Sequence, residues 1–201
     1  MDSFVFTVQA DPHMDASSDT TLYNVCLQNQ LNDHPDFMID LGDFLMTDKL
    51  KNSANQVPFD TIPYRCNLLR RKYETICHSV PLFIALGNHE GENDFFLRQS
   101  PPNNLAIWGT NWRKYYYPNP YPNSFYTGNT VIENFGIDAP ENYYAWTWGD
   151  ALFVVLDVYR TEIFPGTTPT DPTKPLNWEW TLGYAQYQWM RNVLENSNAA
   201  H

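Results

Sequence analysis

DFMIDLGD, residues 36–43, reads as a short apolar strand that ends abruptly at a glycine followed by a carboxylate. The glycine lets the backbone turn sharply and leaves Asp43 just beyond the strand's carboxyl end. Upstream, residues 3–10 (SFVFTVQA) are β-branched and aromatic and stop at Asp11-Pro12, where proline forbids continuation; this predicts a buried strand. Downstream, residues 81–86 (PLFIAL) predict a third strand, stopped by Gly87-Asn88. Between the first two, Leu22, Val25, Cys26 and Leu31 recur at helical spacing behind the N-cap candidates Asp19 and Thr20, predicting a helix to about Asn32. Between the second and third, Ile62, Cys66, Leu69, Tyr73 and Ile76 mark another helix.

Strand, helix, strand, helix, strand within ninety residues predicts a parallel α/β sheet with right-handed crossovers, and such sheets bind ligands beyond the carboxyl ends of their strands. Residues 93–141 lack a sustained period and read as an aromatic-rich insertion. Residues 142–148 and 151–158, joined by Gly149-Asp150, predict a hairpin, and a Pro- and Thr-rich loop follows at 161–176. Tyr184, Tyr187, Met190 and Leu194 predict one face of a helix from about Gly183 to Ser197.

The chain has 201 residues, 43% apolar and 17% charged, with no apolar run long enough to span a membrane. Twelve Lys plus Arg against twenty-three Asp plus Glu give a net charge of −11, which disfavours nucleic acid and anionic membranes as partners. Cys26, Cys66 and Cys77 lack zinc-site spacing and allow at most one disulfide. The N-terminus has no basic segment and too short an apolar stretch to read as a signal peptide. Thirteen Tyr and seven Trp beside few Lys favour an extracellular or secretory setting over the cytoplasm.

Each predicted strand end carries ligand chemistry: Asp11-x-His13, Gly42-Asp43, and Gly87-Asn88-His89-Glu90. Imidazole and oxygen donors converging on one sheet edge suit two divalent metals about 3.5–4 Å apart, with Asp43 as the bridging carboxylate. These motifs, ADPH at 10–13, DLGD at 40–43 and ALGNHE at 85–90, resemble the calcineurin-like metallophosphoesterases. Residues 142–157 and the helix with Gln186 and Trp189 resemble later elements of phosphatases related to purple acid phosphatases.

The resemblance implies a four-layer α/β/β/α sandwich in which residues 1–201 form the N-terminal two thirds of a single domain, incomplete at the C-terminus. The family completes its site with three further histidines, and His34, His78 and His201 lie in the wrong places to supply them. It also implies that Asp11 and His13 bind the first metal, Asp43 bridges both, Asn88 binds the second, and His89 faces the substrate as a proton donor. Iron, zinc or manganese would fill the two sites, and a hydroxide activated by them would attack a small phosphomonoester or diester. Met46 stands where purple acid phosphatases have tyrosine, and His13 is present where they lack histidine, so a tyrosinate-to-iron centre is not expected.

Asp40 and Asp157 read as ordinary solvated or capping carboxylates more readily than as groups orienting a metal ligand. Glu90, Glu92 and Asp48 read equally well as helix N-terminal carboxylates. The aromatic stretch Trp108, Trp112, Tyr115 to Tyr117 and Tyr121 reads as packing before it reads as a sugar platform. The alternative function is a non-catalytic remnant or carbohydrate-binding module on the same scaffold.

Overall fold

The computed structural model describes residues 3–46, 52–54, 56–90, 105–133, 136–159 and 182–198. Asp48, Glu92, His201 and the loop at 161–176 lie outside these residues.

Three strands, β1 (Phe6–Gln9), β2 (Phe37–Asp40) and β3 (Leu82–Ile84), form a parallel sheet in that order, crossed over by α1 (Thr20–Asn32) and α2 (Thr61–Cys77). A second, antiparallel sheet holds β4 (Thr127–Gly128), β5 (Tyr144–Trp148) and β6 (Ala151–Val155); α3 (Leu105–Tyr116) precedes it and α4 (Gly183–Glu195) follows. The predicted hairpin is present, turning at Gly149 with a φ of 61°.

The alternation of β2 and β3 divides the interior in two. Met38 and Ile84 face α1 and α2, where Leu27, Ile62, Cys66, Leu69, Tyr73 and Ile76 complete a helix-on-sheet core. Phe37 and Phe83 face the other way, onto Tyr144, Trp146 and Val155 of the second sheet. Trp146 lies between the rings of Phe83 and Phe153, at 4.1 and 4.9 Å with planes nearly parallel. On the outer side of the second sheet α4 packs Trp189 on Tyr143. The order is helix, sheet, sheet, helix.

Several expectations are corrected. The strand β1 is half exposed rather than buried, with Phe6 and Val8 at 40% and 49% exposure, because among the described residues only β2 pairs with it. The helix α1 begins as predicted, with Asp19 accepting from the Thr21 and Leu22 amides, but Leu22, Val25 and Cys26 face solvent. Its inward side is Tyr23, Leu27, Gln30 and Leu31, since Tyr23 and Gln30 bond Gln9. Likewise α4 turns Tyr184, Tyr187 and Leu194 outward and buries Gln186, whose amide accepts from the Asp157 N–H and donates to the Asp157 carbonyl.

The segment read as an irregular insertion contains α3 and β4, and Leu105, Trp108, Trp112 and Tyr116 of α3 pack onto the first core. Its helical stripe is hidden by aromatic residues on neighbouring faces. Tyr115 and Tyr121 alone of that aromatic set are mostly exposed. All three cysteines are free thiols. No described helix is long and apolar enough to cross a membrane.

Candidate metal centre

The loops after β1 and β2 are laced together by their backbones. The pairing of β1 with β2 continues past the strands as Asp11 N–H to Gly42 O (2.9 Å) and His13 N–H to Asp43 O (3.0 Å). Asp11, His13 and Asp43 all hold positive φ, 57°, 49° and 51°, and Gly42 holds 93°. Non-glycine residues are uncommon in this region, which Asp and His enter more readily than most, and here it sets the direction of three ligand-type side chains on two adjoining loops.

The result is a cluster in which one donor atom from each of Asp11, His13 and Asp43 lies within 4.8 Å of the others. His13 Nε2 stands 3.2 Å from Asp11 Oδ1 and 3.9 Å from Asp43 Oδ2. That nitrogen is buried and makes no hydrogen bond. An orphaned imidazole nitrogen facing two carboxylates is a donor set that fits a divalent cation.

The turn after β3 closes against the same loops. His89 N–H donates to Asp43 Oδ1 at 3.1 Å, and its ring centroid lies 6.1 Å from that of His13. Asn88, half-buried, sits between Gly87 and His89. The close approach depends on two glycines: a Cβ on Gly42 would lie 2.2 Å from Gly87 N, and one on Gly87 would lie 2.2 Å from Asp43 Oδ1. The structure thus brings Asp11, His13 and Asp43 together and sets His89 beside them, while Asn88 lies in the same turn as His89, after β3. His34 and His78, exposed, precede β2 and β3 at the opposite edge.

Two carboxylates beside the cluster depart from their sequence reading. Asp40 is fully buried and accepts from Gln9 Nε2 (2.6 Å), the Tyr73 hydroxyl (2.5 Å) and Gly42 N–H (2.9 Å). Burial raises its pKa above the usual carboxylate range against the pull of these donors. Glu90 is 2% exposed and bonds the backbone of both neighbouring loops instead of a helix terminus. Burial pushes its carboxyl up to about 8, opposed by the Asp43 and Gly87 amides. Asp157, also buried, accepts from Asn142 Nδ2, and Asn142 Oδ1 accepts from Asn129 Nδ2.

Ligand-type side chains lie beyond the carboxyl ends of parallel strands, on two loops in which Asp11, His13 and Asp43 hold positive φ, and together they form a place where a divalent cation fits. Residues 4–197 match the model of the calcineurin-like phosphoesterases, and the chain belongs to that family of metal-dependent phosphoester hydrolases. No curated protein matches the chain.

Proposed function

We propose that the protein hydrolyses small phosphomonoesters or diesters with two metal ions, iron, zinc or manganese. In this reading Asp11 and His13 hold one ion, Asn88 the other and Asp43 both, while His89 faces the substrate. The observation that carries it is the buried, unbonded His13 Nε2 set between the carboxylates of Asp11 and Asp43. When bound, the metals supply the positive charge that acidifies a water and neutralises phosphate oxygens. That charge also lets a chain of net charge −11 take up an anion.

The protein's own groups do the remaining work. Asp43 divides its carboxylate, Oδ1 accepting from His89 N–H and Oδ2 turned toward His13, so one residue ties the substrate-facing turn to the ligand cluster. His89 delivers a proton from its imidazole to the departing alkoxide oxygen, a step that contributes roughly 10²–10⁴-fold in such enzymes. Met46, buried three residues after Asp43, offers no phenolate, which argues against a tyrosinate-to-iron centre at that position. Trp108, Trp112 and Tyr116 of α3 pack against the core, which favours the hydrolase over a sugar-binding module.

The test is release of p-nitrophenol from p-nitrophenyl phosphate and its bis ester with added manganese, iron or zinc. Turnover in the wild-type chain with loss of about 10² or more in Asp43→Asn and His89→Ala is expected. Undiminished turnover in Asp43→Asn would overturn the assignment.

A further inference from the structure

Glu90 spans the gap between the two loops that carry the metal ligands. Its Oε2 accepts from Asp43 N–H (2.9 Å) in the loop after β2 and from Gly87 N–H (2.5 Å) in the turn after β3. Its Oε1 accepts from Phe44 N–H at 2.9 Å. In the opposite sense, the Asp43 side chain accepts from His89 N–H. Each loop therefore has a carboxylate bonded to the other loop's backbone, and the bonds Asp43 N–H to Glu90 and His89 N–H to Asp43 close a ring through Asp43, His89 and Glu90.

A carboxylate suits this role and its amide isostere does not. Three converging N–H donors need two acceptor oxygens, and glutamine offers one oxygen and one further donor. The residue is too buried, and its oxygens too fully engaged, to serve as a ligand itself.

We propose that Glu90 is a positioning residue that holds the Asp43 loop and the Asn88–His89 turn at the separation a metal pair requires. This rests on the two-metal reading of Asp43 and Asn88. Without the clamp the Asp11–His13 position keeps its ligands, whereas the second position depends on two loops joined beyond the β2–β3 pairing by the His89 N–H to Asp43 bond.

The experiment loads the full chain with Mn²⁺ and records metal stoichiometry by titration calorimetry and spin coupling by electron paramagnetic resonance. Wild type is expected to take up two ions with the spectrum of a coupled pair. Glu90→Gln is expected to take up one, within about threefold of the wild-type first affinity, with the signal of an isolated ion. Glu90→Asp, which keeps both oxygens but is one methylene too short to reach both loops, should behave in the same way.

A purely structural role would lower the melting temperature and leave the coupled spectrum of the loaded protein intact. A coupled pair in either variant overturns the clamp alone. A wild-type chain without a coupled pair overturns the two-metal reading and the clamp together. Loss of folded circular dichroism in both variants also overturns it, since Glu90 would then hold the fold and not specifically the site.

Discussion

The imidazole of His89 stands nearly perpendicular to that of His13, the planes at 75° and the centroids 6.1 Å apart. One ring is tied into the carboxylate cluster and the other is carried on the turn beside it. The two histidines should therefore fail differently. His13→Asn should weaken the first metal at least tenfold in calorimetry, in line with loss of one ligand from a small set. His89→Ala should bind metal within a fewfold of wild type and lose turnover. Equal metal affinities for His13→Asn and wild type would remove His13 from the ligand set.

Gly87 has no room for a side chain, because a Cβ there would meet the Asp43 carboxylate and the Asp43 backbone nitrogen, at 2.2 and 2.6 Å. Gly87→Ala must push the turn after β3 away from Asp43. We expect a cost of about 1–3 kcal/mol by chemical denaturation, the range of overpacking in a tight interior, together with loss of metal uptake. Gly136, with open space around it, has only its backbone angle against it, and Gly136→Ala should leave metal uptake unchanged.

Asp40 sets a pH dependence whose sign follows from its burial. Its folded pKa lies above the unfolded value, so the native state holds the proton more tightly. The associated stability is present below the ordinary carboxylate range and lost as pH rises through the folded value. Glu90 and Glu141, both raised by burial, act in the same direction. The metal-free chain should melt at lower temperature as pH increases from 4 toward 8, a range that covers about 4.5 to 8 for Glu90. Asp40→Asn should flatten that slope in part and cost about 1–3 kcal/mol, since an amide leaves one of the donors from Gln9, Tyr73 and Gly42 unpaired.

The sequence was most legible where side-chain type and local pattern agreed. In α2 the apolar stripe is the buried stripe, residue for residue. The clustering of Asp11, His13 and Asp43 was legible at the strand ends, because a carboxylate or imidazole just after each of two paired parallel strands is carried to the same sheet edge. Pattern failed where polar residues carry the interior. Gln30 and Gln186 turn inward to bond, which rotates α1 and α4 away from their apolar stripes. Glu90 was missed for a related reason. Its role is to collect backbone amides from two turns, and nothing in residue type at that position distinguishes this from a helix cap.

The thiols should differ in reactivity. Burial pushes Cys66 and Cys77 up to about 12, leaving a thiolate fraction on the order of 10⁻⁴ at pH 8, while Cys26 is exposed. Iodoacetamide followed by mass spectrometry should label Cys26 first in the native chain and all three cysteines after denaturation. Labelling of Cys77 as fast as Cys26 would contradict the packing of α2.

The left-handed backbone at Asp11, His13 and Asp43 also shapes how this protein can change over generations. Asparagine, aspartate and glycine tolerate that conformation, whereas valine and isoleucine resist it strongly. A lineage released from the need for catalysis would still be under pressure to fold, and these turns would still have to close. Its drift should run first toward asparagine and glycine at the three positions, with β-branched residues appearing only after the loops themselves are rebuilt. Inactive descendants would keep the outline of the site long after its chemistry had gone.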